Sequence, residues 1–421
     1  MTTQPRFTAG DGLRYGLLGL PLAFVALPLY VILPNHYARE FGVPLAALGA
    51  VLLATRLLDA VIDPWIGRLN DRLFARSATS VLALGAIAGL MLVCGFTLLF
   101  FPLTRQPSAL LAWAAGALVL TYAGYSALTI AHQSWGARLG GDESQRGRIV
   151  AWREGLGLAG VLLASLISVV AGPAVASAVL FAALAAGWLG WAGSRRPAPA
   201  AQQESAPFSL WLPLAQPAFR RLLAVFLLNG IASAIPATLV LFYVQARLQA
   251  PPAMQPAFLG SYFLSAALSM PLWLAAVRRI GLARSWLCGM ALAIAVFIWA
   301  AALGTGDMAS FLAVCVLSGA ALGADLALPG ALLAGLIADA GARGRAEGAY
   351  FGWWNFATKL NLALAAGLAL PLLGLAGYSP GARNDTALGA LVIAYCVLPC
   401  VLKLVAAATL YFSLIRPGSA P

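Results

Sequence analysis

The chain has 421 residues, of which 62% are hydrophobic and 10% charged, with a formal net charge of +12. Soluble domains carry about 25% charged residues, so a water-soluble globular protein is excluded. The apolar runs are long and unbroken rather than short and alternating, which excludes a transmembrane barrel and leaves membrane-spanning helices.

In chain order, the polar start MTTQPRFTAGDGLRYG lacks the apolar core and cleavage site of a signal peptide. The first apolar run is therefore expected to act as an uncleaved insertion signal. Runs of spanning length fall near 12–34, 43–66, 79–101, 109–134, 149–172 and 175–193. After the Pro-rich stretch SRRPAPAAQQESAP come six more, near 219–244, 258–277, 285–304, 309–337, 347–375 and 387–413. This predicts a six-helix half over 1–193, a cytoplasmic linker over 194–218 and a second six-helix half over 219–421.

Arginine is distributed with one sign of bias. Loops after even-numbered spans hold Arg68, Arg72, Arg76, Arg138, Arg146, Arg148, Arg195, Arg196, Arg220, Arg221, Arg278, Arg279, Arg284, Arg343 and Arg345. Loops after odd-numbered spans hold only Arg39, Arg105, Arg247 and Arg383. By the positive-inside rule both termini are expected on the cytoplasmic side. The basic balance is then a topological signal, and no nucleic-acid partner is expected. Two six-span halves joined by a cytoplasmic linker is the plan of the major facilitator fold, an all-α membrane architecture of twelve helices. Gly67, Asp71 and Arg72 in GRLNDRLFARS resemble the short gating-loop signature of that superfamily.

An ionisable side chain at bilayer depth costs at least about 2.5–3.5 kcal/mol, so each one in a span is a functional candidate. Span 2 carries Arg56, Asp59 and Asp63 on one helical face, followed by Pro64. Two carboxylates one turn apart suit a hard monovalent cation or a proton. A fixed ion pair with Arg56 is the structural alternative. Span 4 holds His132 and Gln133, placed either for substrate contact or for helix packing. Span 5 holds Arg153 next to Glu154, and span 10 holds Asp325 in a Gly/Pro-rich stretch. Span 11 holds Trp354, Asn355 and Lys359. The chain has two lysines, Lys359 and Lys403, both within or at the edge of spans. All five cysteines lie in apolar runs with no pairing pattern, and no metal cluster, Walker loop or HExxH is present, so an enzyme is not expected.

With these residues the chain resembles the glycoside–pentoside–hexuronide:cation symporter family. ATRLLDAVIDPWIGRLNDR is similar to the family's span-2 pattern, HQSWGARLGGDESQRGRIVAWR to its span 4–5 stretch, and RAEGAYFGWWNFATKL to its span-11 pattern. The resemblance implies that Asp59 and Asp63 bind the coupling cation, that Arg153 helps bind sugar, and that Lys359 links the two sites. The family's melibiose-transporting member has further aspartates in spans 1 and 4. The corresponding positions here fall near Ala23 and Thr129. The expected function is a cation-coupled (Na+ or H+) symporter of a small polar solute, a sugar or related compound. The alternative is a transporter or flippase of a lysophospholipid-like amphipath. A monomer in the bacterial inner membrane is expected, with no cofactor beyond the coupling ion.

Overall fold

The structure is a computed structural model and describes residues 7–104, 106–170, 172–198, 209–375 and 384–416. Arg105, Arg383 and residues 199–208 of the expected linker lie outside the described residues. Among the described residues the chain is helical and contains no strand.

The helices, in order, are α1 (Ala9–Gly16), α2 (Gly19–Phe24), α3 (Leu33–Phe41), α4 (Leu45–Arg76), α5 (Ala78–Phe100), α6 (Pro107–Leu139), α7 (Glu143–Val170) and α8 (Gly172–Ala192). A one-turn α9 (Leu212–Ala215) precedes α10 (Pro217–Phe242), α11 (Gln255–Ile280), α12 (Leu282–Ala301), α13 (Met308–Asp339), α14 (Glu347–Leu375), α15 (Asp385–Val392) and α16 (Leu398–Leu410). Among the described residues, nine helical stretches are long and apolar enough to cross a membrane, and they coincide with expected spans 3 to 10 and 12. The remaining three expected spans are also helical over their described residues. Span 1 is broken into α1, α2, a π-helical turn over Pro28–Ile32, and α3. Span 2 (α4) and span 11 (α14) carry the charged and amide side chains singled out by sequence.

The break in span 1 has a backbone cause. Pro21 and Pro28 cannot donate to the helical ladder, while glycines let α1 and α2 press directly on α7. A Cβ at Gly16 would come within 2.7 Å of the Trp152 carbonyl oxygen, and one at Gly19 would overlap the Arg153 carbonyl. In lipid, where apolar burial does not drive helices together, such close approach is a main source of association.

Two compact units divide the chain. One comprises residues 1–213 together with 334–356, the other 214–333 together with 357–421. In the first unit, a core of Tyr15, Phe24, Tyr37, Phe96, Trp135 and Trp191 lies between α1, α5, α6 and α8. The second packs Tyr243, Phe258, Phe311, Leu391 and Tyr395 together, with Tyr243 and Tyr395 stacked at 4.3 Å. The Tyr243 hydroxyl donates to the Ala300 carbonyl oxygen at 2.6 Å.

Candidate functional site

α4 inverts the pattern of a soluble helix. Leu53, Leu57, Val61, Trp65 and Leu69 repeat every fourth residue and are exposed, with Val61 at 58% and Trp65 at 59%. Thr55, Asp59, Asp63 and Asn70 are turned inward and buried. An apolar outside and a polar inside is what hydrocarbon surroundings select. α4 runs through Pro64 without a break. Asp59 accepts a hydrogen bond from the Ser126 hydroxyl of α6 at 2.7 Å. Asp63 is fully buried one turn on, and Arg56 is partly buried one turn before Asp59. On α6, Thr129 follows Ser126 by about one turn and is also buried. The carboxylate pair therefore lies in a protein interior that has hydroxyl oxygens and little water. Among the described residues no group of three or more His, Cys, Asp or Glu side chains could hold a metal ion.

Further along α6, Gln133 accepts a hydrogen bond from the Asn355 side-chain amide of α14 at 2.7 Å, and Asn355 also donates to the Phe351 carbonyl oxygen. Trp354 beside it is buried. The structure thus brings together two residues that sequence had placed 222 positions apart on separate spans. His132 is completely buried. Its Nε2 lies 2.7 Å from the Tyr15 carbonyl oxygen, and the Tyr15 hydroxyl donates to the His132 carbonyl oxygen at 3.0 Å. This reciprocal pair ties α1 to α6, and Trp191 covers the imidazole edge-on at 5.7 Å. Arg153 forks onto its neighbour Glu154 within α7.

At the far end of α4 the gating-loop residues form a closed cluster. α4 has 32 residues, about 48 Å at 1.5 Å per residue. Its last turns therefore project beyond a hydrocarbon core of about 30 Å. There Asp71 accepts from the backbone N–H groups of Gly348 and Ala349 at 2.7 and 2.8 Å. These belong to the first turn of α14, whose N–H groups have no intrahelical acceptor and whose dipole favours an anion. Arg138 completes the cluster. It contacts Asp71 at 3.3 Å and Glu347 at 2.9 Å, and donates to the Gly344 carbonyl oxygen at 2.7 Å. Its guanidinium stacks 4.0 Å over the Phe74 ring. Gly67 is required by close approach, since a Cβ there would overlap the Gly348 carbonyl. Arg72, by contrast, is exposed.

Burial pushes the Asp71 carboxyl up to about 7, with Arg138 opposing the shift and Glu347 adding to it. Two carboxylates around one guanidinium leave a net negative charge that one proton removes. A carboxyl whose folded pKa is raised binds the proton more tightly when folded, so its contribution to stability is lost as pH rises through that value. The thermal midpoint of the purified protein is expected to fall as pH rises from about 4 to about 7. Asp71→Asn should flatten that part of the profile, and an unchanged slope in the variant would assign the effect elsewhere.

In the second unit, Lys359 is partly buried on α14. A second charged group is formed by Lys403 and Asp325, which sequence spacing did not connect. The Lys403 ammonium contacts Asp325 Oδ2 at 2.8 Å, Asn229 Oδ1 at 2.6 Å and Ser233 Oγ at 3.1 Å. Asp325 Oδ1 accepts from the Trp286 indole at 2.9 Å. The rarity of lysine in the chain was the one signal that could have marked Lys403. Arg138 and Glu347 gave none, because in sequence they read as ordinary cytoplasmic charges.

Helices of membrane-spanning length among the described residues, with charge buried at a few interior positions, are the features of a polytopic membrane transporter. The chain belongs to the MFS/sugar transport protein family, which it matches over residues 14–416. That is a family of transporters and not of enzymes. Over 162 residues it is 28% identical to YagG of Escherichia coli (strain K12), a "Putative glycoside/cation symporter"; the match covers 38% of this chain and 35% of that protein. The chain thus spans about a third of the length of the curated relative it matches. Among solved structures it is similar to a bacterial homologue of the iron transporter ferroportin in an outward-facing state, with a TM-score of 0.71 at 17% identity, covering 97% of this chain and 99% of that one. It is also similar to the Escherichia coli fucose:proton symporter, with a TM-score of 0.65 at 15% identity, covering 96% and 99%. At such identities these likenesses establish the fold alone. They agree with the major facilitator fold expected from the sequence.

Proposed function

We propose that the chain is a secondary symporter that couples entry of a monovalent cation, Na+ or H+, to uptake of a sugar or related small polar solute by alternating access. The buried pair Asp59 and Asp63 carries this reading, with the Ser126 hydroxyl bonded to Asp59. A fixed ion pair with Arg56 would account for one of the two acids, and reversible occupancy by a cation gives the second a use. Arg56 tunes the charge at the pair. Gln133, Asn355, Trp354, Arg153 and Lys359 are the candidates for reading the solute and transmitting its presence. Gly67, Asp71 and Arg72 serve gating at the cytoplasmic end. The matched glycoside/cation symporter and the sugar-transport family support a sugar as cargo. In the same reading the protein works as a monomer in the bacterial inner membrane with both termini cytoplasmic, and needs no cofactor beyond the ion.

The test is uptake by proteoliposomes across a panel of radiolabelled monosaccharides, glycosides and lysophospholipids, with an imposed Na+ or proton gradient. One sugar or glycoside concentrated under one gradient is the expected result. Flux confined to lysophospholipids, or equal with and without either gradient, would overturn it.

A further inference from the structure

The second unit holds a partly open cavity of about 170 Å³ with the Asp325–Lys403 pair in its wall. Its other walls are largely apolar and aromatic, including Phe263, Phe297, Tyr262 and Tyr395. An apolar cavity of about 150 Å³ accommodates benzene, so the space is that of a single six-membered ring. The polar groups in the wall decide what that ring must carry.

An ammonium has three donors and no acceptor. Those of Lys403 are all committed, to Asp325, Asn229 and Ser233. The cation is therefore saturated and offers nothing to an incoming anion. Asp325 is different. A carboxylate has about four acceptor sites, and Asp325 receives Lys403 and Ser233 on Oδ2 and Trp286 on Oδ1. One acceptor position on Oδ1 is left over. Tyr395 is 4% exposed and lines the cavity. Among the described residues neither its hydroxyl nor that of Tyr262, also in the wall, forms a hydrogen bond. Neither hydroxyl is sealed away from the cavity space, so each is open to a ligand that reaches it. The unused capacity is one strong acceptor and two phenolic hydroxyls in an otherwise apolar ring-sized space. A bare sugar, with a hydroxyl on most ring carbons, would leave several of them unmatched against Phe263 and Phe297.

We infer that this cavity is a binding site for a small phenol: a single, mostly apolar ring whose hydroxyl donates to Asp325. It is separate from the carboxylate pair of the first unit and does not depend on the transport reading.

The experiment is calorimetric titration of the full chain in nanodiscs with p-cresol, after subtraction of empty nanodiscs. 4-Methylanisole, the same ring with no donor, and galactose, a ring with hydroxyls throughout, are the comparison ligands. Saturable binding of p-cresol at least tenfold tighter than of 4-methylanisole is expected, with no galactose binding that these substitutions alter. Cys315→Phe, which fills the space, should abolish p-cresol binding. The double variant Asp325→Asn with Lys403→Met removes the acceptor without leaving a lone buried charge, and should bring p-cresol down to the 4-methylanisole level. Tyr395→Phe preserves the ring stack on Tyr243 and keeps the test available should the double variant misfold; a several-fold weakening is expected. Equal affinity for p-cresol and 4-methylanisole, or undiminished p-cresol binding in folded Cys315→Phe protein, would overturn the assignment.

Discussion

Asp59→Asn is expected to reduce the solute accumulation ratio in energised proteoliposomes to about one while preserving solute exchange without a gradient. Coupling is a reciprocal free energy between two bound ligands, so removing the cation's charge partner removes the gradient's hold on the solute. Asparagine keeps the shape of the side chain and can still accept from the Ser126 hydroxyl, which bonds Asp59 at 2.7 Å. Loss of packing is therefore a small part of the change. Asp63→Asn should act in the same direction, since Asp63 is buried one turn away on the same face. Undiminished uphill uptake by the Asp59 variant would remove the carboxylate pair from the coupling mechanism.

The largest effect on stability is expected at Arg138. Its side chain is 3% exposed and holds Asp71, Glu347 and the Gly344 carbonyl oxygen together. Removing one partner of a buried ion pair typically costs about 3–5 kcal/mol, because the partner charge is left in a medium that cannot solvate it. Arg138→Ala is expected to lose that much, read from denaturant or thermal unfolding in detergent. Arg138→Lys keeps the charge but loses the planar fork, so it should recover only part of the loss. A change below about 1 kcal/mol, the scale of an exposed pair, would show that the cluster is open to water.

The membrane class and the interior charges could be read from the sequence because a bilayer makes charge conspicuous. In an apolar helix, Arg56, Asp59 and Asp63 at three- and four-residue spacing can share only one face, and α4 shows that face buried. Span existence was legible for the same reason, and nine of the expected spans recur as apolar helices among the described residues. Hydropathy did not register the break in span 1. Gly and Pro are frequent in transmembrane helices generally, so Gly16, Gly19, Pro21 and Pro28 do not by themselves mark a break, and their effect depends on α7 lying alongside. Nor did spacing disclose which charges meet. Lys403 and Asp325 are 78 residues apart, and Arg138 and Gly344 are 206 apart. Both pairings depend on how helices pack, which single-helix periodicity does not contain. His132 shows the converse. Its polar neighbours suggested either a ligand contact or packing, and its reciprocal bonds with Tyr15 supply the packing.

The Asp71 cluster also sets a schedule for biosynthesis. Asp71 accepts from Gly348 and Ala349, which follow it by 277 and 278 residues. At roughly 5–20 residues per second of translation, the acid waits about 15–55 s for the helix end that receives it. During that interval the end of α4 lacks the backbone groups that satisfy Asp71. The first unit is closed only when residues 334–356 emerge, so a nascent chain truncated at the linker would hold Asp71 and Arg138 without the backbone that joins them.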